Sequence, residues 1–406
     1  MCGCLRCCTS AARPPTVPVE LPPPQEKPAP ASPRAVVEIF KHAKEEQQEH
    51  GGTAGAELLH SRLPAEHWGL SREQLGQLTE KLKQLVATGG LSNPSPQECR
   101  RQKLPYYDEA KFLDPTVGPN MHQVNANYIR PLTMQEDPHH GLPGLSYALH
   151  RNAYGLLCDL FISHAWSEGV FELGITLMEN WPDACTGAYI CSYANPQNLP
   201  ELMSHLIEKP SESPFYRVLT CRPRRMLMIA NSNVPIHSRL WCVYEAHCGR
   251  IMGIPMSVVG DPKHFATNPN ATRAARRAIE SAVKASRREI AIANAADEAA
   301  TDMDIIAAGI YDERFKRWRK RAQRTTARAV ERMKRALDVR KAHCSRPEDG
   351  VAIRKEIDAH ADGINTMICD LIIQDQMQRA PSEPVKLTWY PGQDTVEGLR
   401  AMFCGF

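Results

Sequence analysis

The sequence predicts an α/β protein built on a parallel sheet, with a small helical region before the sheet and a long helical insertion within it. Two observations carry that prediction. Between residues 155 and 263, four short apolar runs alternate with amphipathic helical stretches, the rhythm of strands covered on both faces. Residues 264–335 then break the rhythm with an Ala-rich and later basic stretch that holds no strand candidate; helical apolar periodicity resumes after it.

The first segment, "MCGCLRCCTS", gathers Cys2, Cys4, Cys7 and Cys8 within eight residues. Such a thiol cluster suits S-acylation, since stable anchoring takes two signals. Soft-metal binding and a tail without function are the alternatives. Residues 13–34 are a Pro-rich spacer, expected to be extended and unable to form a core. Residues 1–34 are therefore a terminus and linker, and 35–145 an accessory region. There, 35–49 is amphipathic. Ser71 can cap a helix with Gln74 completing the box, Leu75, Leu78, Leu82 and Leu85 recur at helical spacing, and Gly89 suits the residue after its end. Residues 91–145, rich in Pro, Asn and His, read as mostly irregular.

"LLCDLFIS" is the first strand, followed by a helix over "EGVFELGITLMENW" that Ser167 can cap. "AYICSYA" (188–194) is the second strand and "LPELMSHLIEK" the second helix. "RMLMIAN" (225–231) is the third strand, "SRLWCVYEAHCGRI" the third helix, and "PMSVVG" (255–260) the fourth strand. Beyond the insertion, "ALDVRKAHC" is a short strand candidate. Val351, Ile353, Ile357, Ile364, Ile368 and Leu371 then mark a final helix pair. The α/β domain thus spans 146–263 and 336–378, the insertion 264–335, and a tail 379–406.

Composition is that of an ordinary globular protein: 406 residues, 42% hydrophobic and 23% charged. A net charge of +3 is too small to indicate nucleic acid, and none is predicted as a partner. There is no apolar run long enough to span a bilayer and no secretory h-region. The 14 Cys follow no framework, and Cys158, Cys191, Cys242 and Cys369 sit in apolar runs. Thiols used as small hydrophobes fit a reducing, cytoplasmic setting. Residues 314–335 carry eleven Lys/Arg against one acid, Glu331. A stripe of Phe315, Trp318, Ala322, Thr325, Ala329 and Met333 crosses them. With the N-terminal thiols, this helix could touch an anionic membrane surface; a solvated helix packed on the domain is the plainer reading.

In parallel α/β sheets, ligands bind beyond the carboxyl ends of the strands. The first strand ends in Ser163 and His164, followed by Trp166 and Glu168; the second ends near Tyr193, Asn195 and Gln197. The third ends near Asn231 and Asn233 and leads into the helix carrying Glu245. Glu245 is the only acidic residue from Ser213 to Gly260. Its helical neighbours Trp241, Cys242, Cys248 and Gly249 offer no cation. It must find a distant Arg, face water, or meet a ligand. His164 suits a general base, a metal ligand or a hydrogen-bonding role. No zinc-site spacing occurs, although Cys242, His247 and Cys248 lie close, and no metal is predicted. A Ser–His–Asp hydrolase lacks its G-x-S-x-G.

"CDLFISHAWSE" resembles the first box of TIR (Toll/interleukin-1 receptor) domains, carried here by Phe161, Ile162, Ser163, His164 and Glu168. "SRLWCVYE" resembles their third-helix Ser-x-x-Trp-Cys-x-x-Glu, carried by Ser238, Trp241, Cys242 and Glu245. About 80 residues separate the boxes, a TIR-like spacing. "NANYIRPLT", "FISHAW", "NPQN" and "DVRKAHCS" resemble a divergent TIR-like family of unicellular eukaryotes. The resemblance covers about 125–263 and 336–375. It implies a flavodoxin-like fold. It also implies signalling through self-association or other TIR-like domains, or cleavage of NAD at the nicotinamide–ribose bond, with NAD as substrate and no resident cofactor. Glu245 would be catalytic, with Ser163, His164, Trp166, Ser238, Trp241 and Cys242 around the nucleotide. Trp166 would stack on a base ring or simply pack. The sequence departs from the TIR pattern after the second strand, where "NPQNLPEL" replaces the usual Arg-Asp and Pro-Gly loop. It also lacks the late Phe-Trp box.

Overall fold

The computed structural model describes residues 32–152, 154–260, 273–301 and 311–379. Cys2, Cys4, Cys7 and Cys8, nearly all of the 1–34 segment and all but the first residue of the 379–406 tail lie outside them. Four strands form one sheet: β1 Leu160–Ser163, β2 Ala188–Ile190, β3 Arg225–Ala230 and β4 Met256–Gly260. All pair in parallel, in the order β2-β1-β3-β4. The chain moves outward from β1 to β2, then crosses back to build β3 and β4 on the other side. The winding direction therefore reverses between β1 and β3, where the crossovers leave on opposite faces of the sheet.

The continuous apolar strands are explained by burial on both faces. Phe161, Met226 and Met228 face one core, while Leu160, Ile162, Leu227 and Ile229 face the other. The first core is covered by helices Pro33–His50, Ala54–Arg62, Leu240–Ile251 and Ala361–Arg379. The second is covered by Arg72–Ala87 and Val170–Asn180. Those two helices approach closely at Gly174, where a Cβ would lie 2.3 Å from Thr79 Oγ1. The predicted capping box is present: Ser71 Oγ accepts from Gln74 N–H and Gln74 Oε1 from Ser71 N–H.

The accessory residues are tied to the sheet. Leu70 bridges Ala188 of β2 in antiparallel fashion and Trp68 bridges Leu156; Trp68 is 1% exposed. Within 264–335, helices Arg273–Thr301 and Tyr311–Ala336 pack on each other and on Ala361–Arg379. Ala322, Ala329 and Met333 are buried, so the described part of the apolar stripe faces protein. Thr325 is exposed, as are Arg321, Arg324, Arg328, Arg332 and Arg335. The side chains of Phe315 and Trp318 lie outside the described residues.

Several expected boundaries change. The second strand ends at Ile190, and 191–194 turns into a short helix. Residues 336–344 form no strand: the Tyr311–Ala336 helix ends there, and a 3-10 turn at Val339–Lys341 precedes a single bridge from His343 to Arg239. Gly169, not Ser167, caps the Val170–Asn180 helix, without a side-chain bond. Residues 91–145 hold short helices, including Pro96–Gln102, Glu109–Leu113 and Met121–Val124, with Ser95, Asp108 and Asn120 as caps. A helix at Pro214–Thr220, unforeseen in the sequence, precedes β3.

Candidate functional site

Ser163 ends β1 and is fully buried. Its hydroxyl donates to Glu245 Oε2 at 2.6 Å. Glu245 comes from the Leu240–Ile251 helix that follows β3, so the bond spans the β1/β3 reversal point. Glu245 is 4% exposed, and no basic side chain among the described residues forms an ion pair with it. Burial pushes its carboxyl up to about 7, against the Ser163 hydrogen bond and the His164 charge, which pull it down. A group poised there is half ionised near neutral pH.

His164 begins the loop after β1 and has a wholly buried side chain. Its Nδ1 meets Glu168 Oε1 at 2.8 Å, and its Nε2 lies 3.2 Å from Cys191 Sγ and 3.5 Å from Ser192 Oγ. Burial alone would lower this imidazole; the facing Cys191 and Glu168 outweigh it and hold it well above its ordinary range. Burial raises the Glu168 carboxyl, and His164 counters it. Glu168 Oε2 has no hydrogen-bond partner among the described residues.

The loop 163–169 is held from outside by residues 117–122. Met121 N–H donates to Trp166 O at 3.1 Å, and Val170 N–H to Pro119 O at 2.8 Å. A Cβ on Gly169 would sit 2.1 Å from the Val117 carbonyl oxygen, so only glycine permits this approach. Trp166 is half-buried. Its indole N–H donates to Cys191 Sγ at 3.4 Å, and its ring lies 5.3 Å from that of His122.

The expected site residues divide into two groups. Ser163, His164, Trp166, Cys242 and Glu245 come together, with Cys242 Sγ donating to the His164 carbonyl at 3.4 Å. Burial, then the nearby Glu245, keeps the Cys242 thiol well above its usual range. Ser238 and Trp241 do not join them. The Ser238 hydroxyl donates to Pro235 O at 2.7 Å. Trp241 packs 5.0 Å from the Phe215 ring and donates to Asp349 Oδ2 at 3.3 Å, so both serve the fold.

Cys191 and Ser192 were missed as site residues. Taking 188–194 as one strand placed Cys191 mid-strand; ending β2 at Ile190 puts it at the carboxyl edge. Among the described residues no group of three His, Cys, Asp or Glu side chains could hold a metal ion, and His247 instead stacks 4.9 Å from His360. No helix among them is long and apolar enough to cross a membrane. Comparisons with protein-family models, curated proteins and solved structures find no match for this chain.

Proposed function

We propose that this chain is a TIR-like signalling protein that hydrolyses NAD at the nicotinamide–ribose bond, with Glu245 as the catalytic carboxylate. The observation that carries the reading is a buried carboxylate at the β1/β3 reversal point, held by Ser163 and without an ion pair among the described residues. The sheet order β2-β1-β3-β4 is compatible with a flavodoxin-like fold and so supports the resemblance. The chemistry needs little else. Nicotinamide leaves a cationic ring as a neutral molecule and requires no proton donor. The ribose passes through an oxocarbenium-like state that an adjacent carboxylate stabilises. Water completes the reaction, giving ADP-ribose, nicotinamide and a proton. The positive substrate would itself favour ionised Glu245.

A second reading has an observation of its own. With Glu245 only 4% exposed, the carboxylate suits a catalytically silent interaction module, self-associating or pairing with other TIR-like domains. In that reading the module is cytoplasmic and tethered by acylated Cys2, Cys4, Cys7 and Cys8, and the exposed arginines of Tyr311–Ala336 meet anionic lipid. Purified chain incubated with NAD at high protein concentration separates the two. Nicotinamide release that Glu245→Ala abolishes supports the enzyme; no release from wild type leaves the module. Replacing the four terminal Cys by Ser moves the protein from the membrane to the soluble fraction if the tether exists; an unchanged distribution removes it.

A further inference from the structure

The loop after β1 and the end of β2 bring together three groups, of which the nicotinamide reading uses only His164. Cys191 Sγ stands 3.2 Å from His164 Nε2, and His164 Nδ1 stands 2.8 Å from Glu168 Oε1. Thiol, imidazole and carboxylate form a chain rather than converging on one point. That is the geometry of a nucleophile, its base and the group that orients the base. The His and Glu side chains are wholly buried, whereas Cys191 is half-buried at the sheet edge. Three other thiols of the sheet's core differ. Cys158, Cys242 and Cys248 are buried, and burial pushes each thiol up, Cys248 to about 12; these are inert hydrophobes. Cys191 alone among these four has an imidazole on its sulfur and a second N–H donor, the Trp166 indole at 3.4 Å.

We propose that Cys191 is a nucleophile, with His164 as its acid–base partner and Glu168 as the positioning residue, and that it accepts acyl groups from esters or thioesters. The thiolate sulfur bonds to the carbonyl carbon as the bond to the alkoxide or thiolate leaving group breaks. His164 Nε2 gives its proton to that leaving group. His164 then takes a proton from water, which attacks acyl-Cys191, releases the carboxylic acid and restores the pair. Glu168 stays on Nδ1 throughout, fixing the tautomer. Trp166, with the His122 ring 5.3 Å away, forms an aromatic rim suited to an apolar acyl group.

The test uses the full chain, kept reduced with a phosphine, and p-nitrophenyl acetate as acyl donor. A burst of one p-nitrophenolate per chain, with the acetyl group mapped to Cys191 and lost in Cys191→Ser, is expected. Alkylation of Cys191 by iodoacetamide at pH 6 should be at least about tenfold faster than that of a small free thiol, which at a pKa of about 8.5 is under about 1% ionised there. His164→Asn and Glu168→Gln should each slow both reactions by about tenfold or more. Should a variant fail to fold, the wild-type profile decides: alkylation that stays fast from pH 9 down to about 6 supports the proposal. Alkylation of Cys191 that falls away below the ordinary thiol range overturns it. So does acetylation confined to other residues, or reactivity unchanged in folded His164→Asn.

Discussion

Replacing Glu245 by Gln should stabilise the protein at alkaline pH. The substitution preserves size and leaves an oxygen to accept from Ser163, while removing a carboxyl that burial holds at about 7 against an ordinary 4.5. A folded-state value above the unfolded one favours the protonated form. Its contribution is therefore full below 4.5 and is lost as pH rises through about 7. At roughly 1.4 kcal/mol per pH unit, that gap is worth about 3 kcal/mol, which the ionised wild type forgoes at pH 8 and Glu245→Gln does not. At roughly 2–4 °C per kcal/mol for a domain of 150–250 residues, the Tm difference is roughly 6–12 °C. Thermal melts of both proteins at pH 4.5, 6 and 8 read it directly. The variant should gain on wild type as pH rises and match it at the acid end. A variant that loses ground at pH 8 would show that the Ser163 hydrogen bond and the His164 charge outweigh burial at Glu245, and would refute the predicted gain.

Other substitutions test the frame around this site. Ser163→Ala removes the described hydrogen bond on Glu245 Oε2; it should raise that carboxyl further and cut nicotinamide release by about tenfold at pH 7, read by chromatography. Trp68→Ala empties a site that is 1% exposed and should cost about 3–5 kcal/mol in urea unfolding, since the accessory region shares the sheet's core. Gly174→Val drives a side chain toward Thr79 and should cost about 1–3 kcal/mol by the same measurement. Met333→Asp buries a charge where Met333 is fully covered; it should lower stability by more than about 3 kcal/mol without lipid present, because the stripe faces protein.

The parallel sheet was legible because strands buried on both faces read as unbroken apolar runs, and β1, β3 and β4 fall within theirs. The same signal misled at 188–194. Ser192, Tyr193 and Ala194 are buried beyond the strand's end, so apolarity there reported a packed helical turn and not more sheet. "ALDVRKAHC" failed likewise: Leu337, Val339 and Ala342 are buried against the last helix rather than in a ladder. Ser163 and Glu245 could be paired from the sequence, since element order places both at the carboxyl edge. Ser238 and Trp241 could not be separated from them, because their directions depend on Pro235, Phe215 and Asp349. The Cys191–His164–Glu168 chain joins residues 27 and 4 positions apart. Only the crossover from β1 to β2 makes them neighbours.

On the proposed reading, Glu245 is maintained, at a cost in stability, for a reaction at the sheet edge. Nicotinamide release from NAD by wild type and Glu245→Gln, at protein concentrations matched for folded fraction, tests it most directly. Release by wild type, with a loss of at least about a hundredfold in a variant that melts no lower, is the predicted result. Equal release from the two proteins, or none from wild type, would contradict it.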